Sequence, residues 1–73
     1  MSLADAKVLL AGALQVAPGT LADDVRLGGV EAWDSLGHMR LLLAIEEKRG
    51  APLDADQAAA IETLADIARA LGP

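Results

Sequence analysis

Residues 33–47 read Trp33-Asp34-Ser35-Leu36-Gly37-His38-Met39-Arg40-Leu41-Leu42-Leu43-Ala44-Ile45-Glu46-Glu47, or "WDSLGHMRLLLAIEE". Asp and Ser favour the position just before a helix, and the Leu, Met, Ala and Glu that follow are strong helix formers. The stretch predicts a helix from about Leu36 to Arg49, with Gly50 and Pro52 as stop signals. At about 100° per residue, Leu36, Met39 and Leu43 fall within roughly 60° of one another. Leu41 and Ile45 fall on the opposite side, flanked by Leu42 and His38. A surface helix needs only one apolar stripe. The second stripe belongs either to a bundle that wraps this helix on both sides or to a docking patch beside Ser35, rimmed by Arg40 and Glu47.

Upstream, Ser2 to Val16 reads as a helix, with Ser2 and Asp5 at capping-box spacing. Leu3, Ala6, Leu10, Ala13 and Leu14 form its apolar stripe, and Ala17-Pro18-Gly19-Thr20 ends it. From Thr20 to Trp33 runs a long connection without a period, which Leu21, Val25, Leu27 and Val30 can anchor. Downstream, Asp54 to Ala60 predicts a short helix capped by Asp54. Thr63 and Asp66 open a last helix, Leu64 to Leu71, whose apolar face is Leu64, Ile67, Ala68 and Leu71. The expected fold is therefore all-α: three longer helices, a short third one, and a long loop between helices one and two.

With 73 residues the chain has room for one domain, residues 1–73. It is 53% hydrophobic, with one Trp and neither Phe nor Tyr, a composition suited to packed helices rather than a sheet. Cysteine is absent, so the chain has no disulfide, no thiolate metal site and no cysteine nucleophile of its own. Any thiol chemistry must bring its sulfur in. The net charge of −5, with six scattered basic residues, disfavours nucleic acid as a partner. No apolar run approaches the ~18 residues of a membrane span, so a cytoplasmic monomer is the expectation.

Taken alone, Ser35 is most simply a helix cap. Asp34 can serve the same purpose, which would leave the Ser35 hydroxyl free, and a phosphate attached at a helix start is electrostatically favoured. A Ser35–His38 nucleophile pair is poorly supported, because there is no G-x-S-x-G elbow and no carboxylate evidently placed to orient the imidazole. His38 is expected against core side chains, neutral, with one ring nitrogen bonded to backbone. One histidine, no cysteine and dispersed carboxylates give no metal site.

Asp34-Ser35-Leu36 at the end of a long loop, followed by Arg40-Leu41-Leu42-Leu43-Ala44-Ile45-Glu46-Glu47 and later by Ile61-Glu62-Thr63-Leu64, resembles the acyl carrier proteins over nearly the whole chain. The resemblance implies a four-helix bundle that is not an enzyme. It implies that a phosphopantetheinyl transferase moves 4′-phosphopantetheine from coenzyme A onto Ser35, with magnesium belonging to the transferase. The thiol of that arm would then hold an acyl or aminoacyl group as a thioester for loading ligases or transferases and downstream biosynthetic enzymes. By position, Asp34, Leu36, Met39, Arg40, Leu43 and Glu47 match the partner-docking strip. His38, Leu41, Ala44, Ile45, Leu53, Ala58, Ile61 and Leu64 match the core and the wall that can shelter a bound chain. Three residues depart from the family pattern. Arg40 replaces an acidic residue, His38 a small one, and Arg49 an apolar one. These departures point away from long fatty chains and towards a discrete carrier of natural-product or aminoacyl type. The rival reading is a small helical interaction module in which Ser35 is only a cap.

Overall fold

The computed structural model describes residues 1–72. Four α-helices follow in order: α1 (Leu3–Leu14), α2 (Ser35–Arg49), α3 (Ala55–Ala59) and α4 (Leu64–Leu71). Helix α1 packs on both α2 and α4, and α2 packs on α4. The result is a small all-α bundle, as the patterning predicts. Ala6, Leu10, Ala11 and Leu14 of α1 meet Leu41 and Ile45 of α2, and Leu64 and Ile67 of α4, in one core. Each fully buried Leu or Ile contributes roughly 1.5–3 kcal/mol relative to exposure.

The ends of α1 differ from the sequence reading. Ser2 caps it, its hydroxyl accepting the Asp5 N–H at 3.1 Å, but the reciprocal half of the capping box is not formed. The helix stops at Leu14 rather than at the proline. Gln15 takes a left-handed conformation (φ 61°), and its N–H turns back to the Ala11 and Gly12 carbonyls. Pro18–Thr20 then forms a separate 3₁₀ turn. Of the expected α1 stripe, Leu3 is 52% exposed because it lies beyond the end of the core, and Ala11 is buried in its place.

The connection over residues 15–34 is packed down as its apolar residues suggest. Leu21 and Val25 are buried, and Leu27 and Val30 lie half-buried against the core. Its middle is tied to the segment before α4: the Leu27 N–H donates to the Glu62 carbonyl at 2.9 Å, and Arg26 and Thr63 form an isolated antiparallel bridge. Among the described residues there is no strand beyond that bridge.

The two short helices depend on their caps, since segments this short do not form alone. Asp54 and Gln57 form a full capping box at α3, and Thr63 and Asp66 do so at α4. The α2–α3 turn is closed by Glu46, whose Oε2 accepts the Leu53 N–H at 2.7 Å. Burial pushes the Asp66 carboxyl up, but donors from the Glu62 and Thr63 backbone, the Thr63 hydroxyl and Arg69 outweigh it and hold its pKa below the ordinary Asp value. A depressed native pKa stabilises the fold above the unfolded-state value of about 3.9, and the stabilisation is lost as pH falls through the native value. The urea midpoint of Asp66→Asn should therefore lie below wild type at pH 7 and converge on it below about pH 4. A gap that stays constant with pH would refute this role for the carboxylate.

Candidate functional site

Helix α2 begins at Ser35, and the residue that caps it is Asp34. Its Oδ1 accepts the Gly37 N–H at 2.8 Å, while its carbonyl takes the His38 N–H at 2.8 Å. Ser35 is exposed at the first helical position and is not the cap. The hydroxyls of the chain belong to Ser2, Thr20, Ser35 and Thr63. Ser2 Oγ accepts from Asp5, Thr20 Oγ1 donates to the Ala17 carbonyl at 2.7 Å, and Thr63 Oγ1 accepts from Asp66 at 3.2 Å. Among the described residues, Ser35 alone has a hydroxyl with no internal partner.

Three contacts hold the chain behind Ser35. Trp33 is fully buried, its N–H donates to the Val30 carbonyl at 3.1 Å, and its carbonyl accepts the Gly28 N–H at 2.9 Å. Its indole Nε1–H donates to His38 Nδ1 at 3.0 Å, with the rings stacked 6.2 Å apart. The ring nitrogen of His38 is thus bonded to a side chain, which corrects the expected backbone bond; a buried indole needs an acceptor, and the backbone carbonyls of this turn are taken up by the helix. Gly37 is buried where the loop crosses α2: a Cβ there would lie 2.3 Å from the Ala32 carbonyl oxygen and 2.8 Å from Leu14 Cδ2. The sequence reading missed Gly37. Its one signal was a glycine in the first turn of an otherwise strong helix.

The two stripes of α2 have different fates. Leu41 and Ile45 are fully buried, whereas Leu36, Met39 and Leu43 are 56%, 60% and 61% exposed. Among the described residues nothing covers the second stripe. With the exposed Arg40 and Glu47 these residues span about 100° of helix, and Asp34 stands exposed at the N-terminal end. A shallow groove of about 420 Å³ beside Ser35 is lined by Leu14, Glu31, Ala32, Asp34, Leu36, Gly37 and Arg40.

The residues matched to the interior wall divide. Leu41, Ile45, Ile61 and Leu64 are buried together, and His38, Leu53 and Ala58 are half-buried. Ala44 instead borders a groove towards α1 with Leu9, Glu47 and Lys48. Ile61 also borders a recess of about 130 Å³ between α3 and α4.

A family model described as "phosphopantetheine attachment site" matches residues 6–71. The chain belongs to this family of carrier proteins. Carriers of this family are not catalysts; they hold covalent 4′-phosphopantetheine and work with a phosphopantetheinyl transferase and biosynthetic enzymes. No curated protein and no solved structure matches the chain. At the start of α2, His38 Nδ1 is committed to the Trp33 indole. Among the described residues there is no group of three metal-ligating side chains, and no helix is long and apolar enough to cross a membrane.

Gly37→Ala tests the close approach. Alanine favours a helix by about 1 kcal/mol over glycine, yet its methyl collides with backbone here, and overpacking of this kind costs about 1–3 kcal/mol. The variant should have a lower urea midpoint by Trp33 fluorescence. An unchanged or raised midpoint would contradict the contact.

Proposed function

We propose that this carrier is modified at Ser35 and delivers a short or polar acyl or aminoacyl thioester between partner enzymes. One observation carries the assignment: Asp34 performs the capping, so the Ser35 hydroxyl stands exposed and uncommitted at the start of α2. In the transfer, Ser35 Oγ would form a bond to the phosphorus next to pantetheine in coenzyme A. The pyrophosphate bond breaks, 3′,5′-ADP leaves, and the serine proton passes to a base of the transferase. The arm supplies the thiol that this cysteine-free chain lacks. The unpaired backbone N–H groups and the positive dipole end of α2 favour the phosphodiester charge at this position.

The docking strip would be Asp34, Leu36, Met39, Arg40, Leu43 and Glu47, an apolar centre with charged edges, as transient interfaces have. Arg40 sets this strip apart: it is exposed and has no ion-pair partner among the described residues. The interior wall would be His38, Leu41, Ala44, Ile45, Leu53, Ile61 and Leu64. The imidazole of His38 in that wall supports a natural-product or aminoacyl carrier over one that encloses a long fatty chain. A core shared by α1, α2 and α4 supports treating residues 1–73 as one carrier domain.

Incubation with coenzyme A and a broad-specificity phosphopantetheinyl transferase should add the mass of one phosphopantetheine to the protein and nothing to Ser35→Ala. No gain across several active transferases would remove the proposal. Arg40→Glu should weaken binding to the cognate loading enzyme by on the order of tenfold, as loss of a favourable charged contact does, with unchanged circular dichroism. Unchanged affinity in a direct titration would take Arg40 out of the interface.

A further inference from the structure

The hydrogen bond between Trp33 and His38 fixes more than the loop. An indole N–H can only donate, so the 3.0 Å contact from Trp33 Nε1 requires His38 Nδ1 to be the acceptor. A neutral imidazole carries one N–H, and with Nδ1 accepting, that proton is on Nε2. Nε2 lies across the ring from Nδ1. Trp33 is fully buried while His38 is half-exposed, and the nitrogen that carries the proton is the one the indole does not engage. Among the described residues it has no hydrogen-bond partner.

Ser35 stands on the same helix. His38 follows it by one helical turn, about 4.5 Å along the axis and about 60° around it. Residues at this spacing are neighbours on the helix surface, and helical side chains lean towards the N-terminus, here towards Ser35. The fold thus holds a donor of fixed tautomer one helical turn from a free hydroxyl.

We infer that His38 binds the phosphate joining the prosthetic group to Ser35, donating its Nε2–H to a phosphodiester oxygen. The inference rests on Ser35 being the attachment site. The ligand class is a phosphodiester monoanion, whose charged oxygen makes the bond stronger than one between neutral groups. Trp33 acts through His38 as a positioning residue: it fixes the tautomer and the ring plane but does not reach the phosphate.

The test uses the full chain in apo and holo forms, ¹⁵N-labelled. In holo protein the His38 Nε2–H proton should exchange with water more slowly than in apo protein, by roughly tenfold or more. The ³¹P resonance of the phosphodiester should shift between wild type and His38→Asn. Asn Oδ1 can take the place of Nδ1 and keep the Trp33 bond, but it removes the Nε2–H donor. The urea midpoint of His38→Asn should therefore stay near wild type, whereas His38→Leu, which strands the buried indole N–H, should lower it. Equal Nε2–H exchange in the apo and holo forms would overturn the inference, even if His38→Asn failed to fold. An identical ³¹P shift in a folded His38→Asn would do the same. If no phosphopantetheine is gained, the Ser35 reading itself fails. If it is gained while the histidine signals stay unchanged, only the role of His38 fails.

Discussion

Burying an indole obliges a fold to find a partner for its N–H, and here the partner is His38 Nδ1 at 3.0 Å. That bond joins the last turn of the long loop to the first turn of α2. Around it the Ala32 carbonyl closes on Gly37, and Asp34 takes the Gly37 N–H. Each contact holds the chain from the core side. Ser35 is left with its backbone fixed and its hydroxyl free, which suits the attachment role proposed for it: rigid in position, unhindered in approach.

The same economy governs the rest of α2. One face, Leu41 and Ile45, completes the core with α1 and α4; the other, Leu36, Met39 and Leu43, stays open. In a chain this small the exposed face is a substantial area of unsatisfied apolar surface, which partners would cover in turn. The bundle tolerates it because short-range devices do much of the holding elsewhere. Capping boxes close α3 and α4, the Glu46 carboxylate closes the turn between α2 and α3, and the loop is pinned at Glu62 and Thr63.

Features coded by near neighbours in sequence were legible. The Thr63–Asp66 spacing and the Asp54 cap announce their helices, and the opposed stripes of α2 follow from a period of 3.6. Asp34 as an alternative to Ser35 for capping was also visible, and the structure selects it. What sequence could not give are contacts between distant residues and choices among equal local options. Gly37 is demanded by Ala32 and Leu14, which periodicity does not place nearby. Helix α1 ends early because Gln15, with no glycine to signal it, adopts the left-handed conformation. Leu3 has the right angle for the core but sits past its edge. The partner of His38 was equally hidden, since only the folded loop brings an indole to it.

The central claim is that the fold singles out one hydroxyl by engaging the others. The most direct measurement is electron-transfer fragmentation of the intact holo protein, which locates the added group along the chain. Every fragment containing Ser35, and no other, should carry the phosphopantetheine mass. The group found on Ser2, Thr20 or Thr63 would contradict it.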